Sequence, residues 1–467
     1  MPKKARSAAA APAPLTIVIL AAGEGKRMKS AVPKVLQPLA GRPLLKHVID
    51  TARALGASAI HVVYGAGGER VREALADERL SWTLQSERLG TGHALQQALP
   101  KIGDGQLVLV LFGDVPLIAR ATLEKLIALA GPRRLSLLTA TLPDPSGYGR
   151  IVRNARGAVQ RIVEERDANA RERAIRECNT GVLACPVELL RRWLGRLTRK
   201  NSQGEYYLTD IVALAVKDKV AVVPLLAPDP GEVLGVNDKA QLAQLEGVYR
   251  ARTSRELMLA GVTLADAARF DLRGTLTHGE DVFIDVNVVL EGKVSLGDRV
   301  TVGAGCVIRN SDIGADTELL AHCVIDGAHI GPGCRIGPFA RTRPTVTLAR
   351  GVHIGNFVEV KNSEVGEESK ANHLAYVGDA RLGKHVNIGA GTIIANYDGA
   401  NKNLTVIEDD VHTGSNTVLV APITVGAGAT IGAGSTVTRT VPGGKLTVAR
   451  ARQSTVEGWR RPVKQRK

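Results

Sequence analysis

Between about residues 281 and 438 an aliphatic residue followed by glycine returns at six-residue spacing: Leu296-Gly297, Val302-Gly303, Ile330-Gly331, Ile336-Gly337, Ile354-Gly355, Val377-Gly378, Leu382-Gly383, Ile388-Gly389, Val425-Gly426 and Ile431-Gly432. Six fits neither the period of a helix, roughly 3.6, nor that of a simple strand, about 2. A hexad whose aliphatic residue points inward and whose small neighbour turns a corner predicts one face of a coiled prism, three hexads to a coil. With about 4.8 Å between coils, roughly 150 residues would stack into a column on the order of 40 Å long. Each coil covers the next, so the column is a rigid scaffold first. Spacing alone leaves its hand open.

The rest of the chain must fold differently. Its 467 residues have room for two or three domains, and 44% hydrophobic with 23% charged residues is the composition of a folded protein. The longest apolar run, residues 107–112, is too short to cross a bilayer. The opening MPKKARSAAAAPAP has charge without the apolar centre of a signal peptide, so a cytoplasmic location without membrane insertion is expected. Five cysteines (Cys178, Cys185, Cys306, Cys323, Cys334) without a C-x-x-C pair suggest buried thiols rather than disulfides or a zinc site. The formal charge of +15 invites a nucleic-acid reading, but the basic residues are spread along the chain and only 3% of residues are aromatic. An enzyme of phosphorylated small molecules suits the same surplus, and no nucleic-acid partner is expected.

Residues 1–14 read as a mobile tail, with order beginning at Leu15. The run 15–20 (LTIVIL) is apolar on both faces, as in a buried parallel strand, and opens into a glycine-rich loop, 21–27 (AAGEGKR). Such a loop can present backbone amides to phosphate, although it matches neither the P-loop nor the dinucleotide spacing. Aliphatic runs at 59–64, 107–112, 135–142 and 221–226 alternate with helical patterns, the rhythm of an α/β sheet. Asp114 follows one such strand, where it could cap a turn or hold a metal ion. From 237 to about 259, Leu242, Leu245, Val248, Tyr249 and Leu257 recur at helical spacing and predict a connecting amphipathic helix. Inside the repeats, 396–403 (NYDGANKN) is a run of turn formers that must protrude from a prism edge. After residues 441–444 the repeat ends and a basic tail follows, with Arg452, Arg460, Arg461, Lys464, Arg466 and Lys467.

These stretches together carry a family resemblance. Residues 20–28 (LAAGEGKRM), 33–36 (PKVL), 89–94 (LGTGHA), 113–116 (GDVP), 147–150 (GYGR), 179–181 (NTG) and 204–207 (GEYY) form the first part of it. Residues 355–359 (GNFVE), 387–392 (NIGAGT), 396–402 (NYDGANK) and 457–462 (EGWRRP) form the second. Over residues 15–463 the chain resembles the bacterial bifunctional N-acetylglucosamine-1-phosphate uridyltransferase/glucosamine-1-phosphate acetyltransferases. The resemblance implies a Rossmann-like nucleotidyltransferase domain (15–236), a linker helix (237–260), a left-handed parallel β-helix acetyltransferase domain (261–440) that forms a homotrimer, and a basic tail (441–467). It implies consecutive steps towards UDP-N-acetylglucosamine, the acetyl transfer first, with acetyl-CoA and UTP as co-substrates and Mg²⁺ as cofactor.

Uridylyl transfer must neutralise charge on the attacking phosphate and the leaving pyrophosphate, so it needs fixed cations and a metal ion. By resemblance Asp114 and Asn237 hold Mg²⁺, and Arg27 and Lys34 meet the phosphates as catalytic cations. Leu20, Ala21, Gly23, Gln85, Gly90 and Thr91 contact the nucleotide, and Gly149, Glu164 and Asn179 the N-acetylglucosamine moiety. Acetyl transfer needs a base titrating near neutral pH to free the sugar amine, which suits histidine. The resemblance singles out His373, with Arg343, Lys361, Tyr376 and Asn387 for glucosamine-1-phosphate and Ala390, Asn396, Tyr397, Ser415, Ala433 and Arg450 for acetyl-CoA. Lys26, Phe112 and Leu234 depart from the usual threonine, tyrosine and glutamate, so altered nucleotide affinity is expected rather than lost activity. A single-activity nucleotidyltransferase, or a noncatalytic scaffold of the same plan, would have lost His373, Lys34, Asp114 or the 396–403 loop, and all are present.

Overall fold

The computed structural model describes residues 13–76 and 79–464. The tail expected at 1–14 therefore lies, except for Ala13 and Pro14, outside the described residues, as do Arg466 and Lys467. Order begins one residue early, because the Pro14 carbonyl accepts a hydrogen bond from the Leu107 amide (2.9 Å). The chain divides into two compact units between Tyr249 and Arg250, inside the connecting helix rather than at its ends.

The first unit is a sheet covered on both faces. Its main strands are β1 (Leu15–Ala21), β2 (Ala59–Gly65), β3 (Ser81–Gln85), β4 (Leu107–Phe112), β5 (Arg134–Thr141), β8 (Glu177–Pro186) and β9 (Ala221–Leu226), and β6 (Arg150–Arg153) with β7 (Val159–Val163) forms a hairpin that joins β8. The order is β9-β5-β8-β4-β1-β2-β3, parallel except for β8, which runs antiparallel to both neighbours. Alternate strand residues face opposite layers, which is why these strands read as continuous apolar runs. Ile17, Ile19, Leu109 and Leu111 pack under helices α1 (Leu44–Ala54) and α3 (Arg120–Leu129). Val18, Leu20, Val108 and Val110 pack under α2 (Thr91–Ala98), α4 (Val187–Leu194) and α5 (Asp210–Lys217). Each such fully buried side chain contributes roughly 1.5–3 kcal/mol. Between β1 and β4 the strand order reverses, leaving a crevice at the strands' carboxyl ends. The linker helix α6 (Lys239–Leu259) buries Leu245, with Leu242, Val248 and Tyr249 beside it, in this unit, while Leu257 packs on the core of the second.

The second unit is a left-handed parallel β-helix. The aliphatic residues of the ten hexads are all buried, from Val302 and Ile336 at 0% exposure to Leu382 at 6%. The coil is tighter than three full hexads. Register steps such as Thr301 to Glu318 and Lys370 to Asn387 are 17 residues, against 18 for Arg335 to His353. The missing residue falls at one corner, occupied by Asn310, Gly327, Asn362 and Asp379 with left-handed φ values of 43°, 54°, 43° and 49°, where the path from Val324 to His329 is one residue shorter than the equivalent path from Arg341 to Thr347. Asn387 pairs with His412, a step of 25, because the loop at 396–403 is inserted at that same corner. The coil also outruns the expected span. It begins at Thr263–Leu264 and closes with Leu446–Thr447 paired to Thr430–Ile431, beyond the expected end at 440, because strand pairing there does not need the hexad motif.

A second corner carries apolar bulk outward. His322, Phe339, Phe357 and Leu374 follow one another up successive coils with φ of 61°, 56°, 55° and 50°. The rings of His322 and Phe339 stack at 5.0 Å and those of Phe339 and Phe357 at 5.2 Å. Phe357 is 56% exposed and Leu374 60%.

Coil-on-coil contact explains the glycines, since a Cβ on Gly355 would lie 2.0 Å from the Asn372 carbonyl oxygen one coil on. Gly355→Ala is expected to destabilise the β-helix by about 1–3 kcal/mol. The check is its urea midpoint at unchanged slope, and an unmoved midpoint would mean that the coils have slack there.

Candidate functional sites

The crevice between β1 and β4 opens into two adjoining cavities. The larger, about 540 Å³, is lined by Leu20, Ala21, Gly23, Lys34, Gln85, Gly90, Thr91, Phe112 and Asp114, among others. The smaller, about 220 Å³, is lined by Tyr148, Gly149, Glu164, Asn179 and Thr209, and shares Thr91 and Phe112 with the first. Its walls are β8 and the β6–β7 hairpin, so the antiparallel part of the sheet builds this second lobe.

One cation sits at the heart of the larger cavity. The Val236 amide donates to the Asp114 carbonyl (3.0 Å), which brings the next residue, Asn237, beside the Asp114 carboxylate. The Lys34 ammonium donates to Asp114 Oδ2 (2.5 Å) and Asn237 Oδ1 (3.5 Å). Two oxygens thus converge on one cationic centre. Among the described residues no group of three or more histidine, cysteine, aspartate or glutamate side chains could hold a metal. A donor set of two oxygens fits a hard ion such as Mg²⁺, which keeps waters and substrate oxygens in its shell.

Some expected residues stand apart. Arg27 is exposed on the short turn Lys26–Met28 and is not among the residues lining the cleft, so the structure does not bring it to Lys34. A long cationic side chain with no fixed anion nearby stays in solvent. Lys26 is exposed too and pairs with Glu24 (3.2 Å), whose carboxylate also meets Arg88 (3.2 Å) at the cleft wall. Leu234 packs against two apolar clusters of the first unit, the layer under α1 and α3 and the smaller cluster around Leu245. Tyr148 and Glu205 entered the sequence reading only inside the stretches 147–150 and 204–207, without a role, and Thr209 was missed because only the chain beyond β8 carries it to the crevice.

In the β-helix, the residues expected around His373 fall on one edge and the face beside it. The edge residues are linked carbonyl to amide up the coils: Asn356 O to Leu374 N, His373 O to Gly391 N, Ala390 O to Asn416 N and Ser415 O to Gly434 N. His373, Ala390, Ser415 and Ala433 therefore rise in one line, about 4.8 Å per coil. Arg450 donates to the Ala433 carbonyl and extends the line. His373, Ser415, Ala433 and Arg450 are all exposed. On the neighbouring face Arg343 and Lys361 hold the same position on successive coils, and the next coil has Gly378 there. A Cβ on Gly378 would lie 2.4 Å from the Tyr376 hydroxyl, so glycine lets that phenol fold across the face. Asn396 donates to the Tyr376 hydroxyl (3.4 Å). Arg343 pairs with Glu359 (3.3 Å) and Lys361 with Asp379 (3.3 Å). Asn387 lies on the His373 sheet, paired with Lys370, while Tyr397 stands in the loop, 61% exposed, with its hydroxyl donating to Gly399 O (2.6 Å).

The chain is similar to known proteins over nearly all its length. A family model described as "MobA-like NTP transferase domain" matches residues 17–182, and "Bacterial transferase hexapeptide (six repeats)" matches 276–310 and 404–439. The chain is 58% identical over 452 residues to the bifunctional protein GlmU of Azoarcus sp. (strain BH72), covering 97% of this chain and 100% of that protein. It is 57% identical over 453 residues to that of Cupriavidus pinatubonensis and 55% over 453 to that of Ralstonia nicotianae, with the same coverage.

The smaller cavity has an electrostatic signature. Burial, together with the carboxylates of Asp210, Asp167 and Glu205, raises the Glu164 pKa above 4.5 despite a hydrogen bond from the Thr209 hydroxyl (2.9 Å). A raised acid binds its proton more firmly when folded, so its contribution to stability falls as pH rises through the window above 4.5. Glu164→Gln is accordingly expected to raise the urea midpoint at pH 7.5, with the gain shrinking as the pH drops towards 4.5. A lower midpoint at pH 7.5 would contradict this origin of the shift.

Proposed function

The chain belongs to the family of the bifunctional GlmU proteins, and from that premise we infer how its two halves share the work. It is an enzyme with two transferase activities. The hexapeptide domain moves the acetyl group of acetyl-CoA to the amine of glucosamine-1-phosphate. The amino-terminal domain then moves UMP from UTP to N-acetylglucosamine-1-phosphate and releases pyrophosphate. The product, UDP-N-acetylglucosamine, serves peptidoglycan and lipopolysaccharide synthesis. The cytoplasm, where both co-substrates are made, is the compartment we assign, and no helix among the described residues is long and apolar enough to cross a membrane.

The observation that carries the uridylyl half is the meeting of Lys34, Asp114 and Asn237 in a cleft at the sheet's reversal point. The nucleotide fills the larger cavity against Leu20, Ala21, Gly23, Gln85, Gly90 and Thr91, and the sugar fills the smaller one against Gly149, Glu164 and Asn179. In that pose a sugar phosphate oxygen can attack the α-phosphorus in line with the departing pyrophosphate. Lys34 turns from Asp114 to the phosphates, where its charge offsets the charge that builds on the leaving group. Arg27 swings in from solvent once phosphate is present to hold it. Asp114 and Asn237 are the residues that would hold Mg²⁺, which when bound neutralises phosphate oxygens.

For the acetyl half, His373 takes the proton from the sugar amine as it attacks the thioester, and CoA leaves as the thiol. Arg343 and Lys361 hold the sugar phosphate, and Tyr376 and Asn387 the sugar. The straight line from His373 through Ala390, Ser415 and Ala433 to Arg450 suits an extended acyl-CoA, with Asn396 and Tyr397 on the loop beside it. Because this line lies open to solvent, a single chain cannot exclude water from it. The stacked apolar corner of Phe339, Phe357 and Leu374 supports a homotrimer in which a neighbouring chain covers the groove.

Three substitutions test the division of labour, each followed as CoA thiol and pyrophosphate released. His373→Ala is expected to lower acetyl transfer by about 10²–10⁴-fold and leave uridylyl transfer intact. Lys34→Ala is expected to do the reverse. Phe357→Glu is expected to dissociate the trimer in sedimentation and take acetyl transfer with it. Equal loss of both activities in His373→Ala or Lys34→Ala would refute separate sites.

A further inference from the structure

The tight corner of the β-helix holds a carboxylate that the reading above leaves without a role. Asp379 is 8% exposed and left-handed at φ 49°. Its Oδ1 accepts from the Asn362 amide (2.6 Å), and its Oδ2 accepts from the Lys361 ammonium (3.3 Å) and from the Asn396 amide. Its backbone is fixed as well, the amide donating to Lys361 O (3.0 Å) and the carbonyl accepting from Thr405 N (3.1 Å). Asn396 and Thr405 flank the inserted loop, and Asn403 N donates to Asn396 O (2.7 Å) to close its neck. One residue therefore grips a phosphate-clamp lysine and both stems of the loop.

The charges around it make this grip necessary. The loop brings Lys402 beside Lys361, and that neighbouring positive charge pulls Lys402 below the usual lysine range. Arg343 adds a third positive group facing the pair. Burial of Asp379 opposes its ionisation, but the bonds from Asn362, Asn396 and Lys361 outweigh it and hold the carboxyl below the ordinary range. An ionised, buried carboxylate is thus the counter-charge that keeps two facing ammonium groups from driving each other apart in the absence of a substrate phosphate.

We propose that Asp379 is a positioning residue for acetyl transfer, holding Lys361 ready for the phosphate of glucosamine-1-phosphate and, through Asn396, setting the loop that borders the acyl donor. This rests on the acetyltransferase reading of the β-helix. It differs from a purely structural role because its effect on binding of the sugar phosphate must pass through Lys361.

The test is a double-mutant cycle in the full-length enzyme. Asp379→Asn is expected to raise KM for glucosamine-1-phosphate by about tenfold with a smaller fall in kcat and unchanged uridylyl transfer. In a Lys361→Ala background the same change is expected to raise that KM less than about twofold, because the group it positions is gone. Full additivity in the cycle would overturn the proposal, leaving Asp379 as a packing residue. If Lys361→Ala alone left KM unmoved, the phosphate clamp would fall and the proposal with it. If Lys361→Ala raised KM and Asp379→Asn did not, only the proposal would fall. Asn362→Ala removes the Oδ1 donor away from the substrate and supplies a milder variant should Asp379→Asn not fold. It is expected to raise the same KM by about two- to fivefold, and no change would count against the proposal.

Discussion

Coil-to-coil stacking in the β-helix is the constraint from which the acetyl-transfer geometry follows. Parallel strands about 4.8 Å apart repeat any feature of a corner up the whole column. A residue type placed every coil becomes a line, and an edge becomes a straight groove. Glycine at the Gly355 position is needed because the Asn372 carbonyl above leaves no room for a side chain. The line running from His373 to Arg450 and the stacked rings of His322, Phe339 and Phe357 are both products of that stacking. No loop has to be ordered to align them, so the groove exists before any ligand arrives.

The inserted loop is the exception to this regularity. It leaves at the corner that is one residue shorter in most coils, and Asp379 joins its stems to the face that carries Lys361. The nucleotidyl domain solves the same problem in another way. Lys34, Asp114 and Asn237 converge because the strand order reverses between β1 and β4, and because Val236 hydrogen-bonds to Asp114 from more than a hundred residues away in sequence. In both halves a lysine waits on a carboxylate, Lys34 on Asp114 and Lys361 on Asp379, and each is suited to exchange that partner for phosphate.

Much of this was legible in the sequence, and for a physical reason. A hexad fixes which residues point inward, so Leu296, Ile336 and Ile431 were placed correctly without coordinates. Five of the seven main strands were read from the sequence. Four are buried on both faces and leave no polar alternation to misread, and the half-buried edge strand at 221–226 is apolar throughout, whereas 81–85 and 177–186 carry polar residues that hide them. What could not be read was geometry set by corners. The coil lost a residue at the corner of Asn310, Asn362 and Asp379, which no hexad motif marks, and it continued to Leu446–Thr447 beyond the last motif. The hairpin that forms the smaller cavity lacked a distinctive pattern, and the Arg27 side chain stays in solvent away from the cleft. Asp379 carried no motif, because its importance lies in three donors that only the fold assembles.

The central claim is that one chain carries a complete uridylyl site but only an open edge for acetyl transfer, which a second copy must cover. Both rates per chain, measured while the protein is diluted through its dissociation range as followed by sedimentation, address this directly. The account predicts that acetyl transfer per chain falls in step with the loss of trimer while uridylyl transfer per chain holds constant. Acetyl transfer that persists undiminished in monomers, or a uridylyl rate that falls alongside it, would contradict the account.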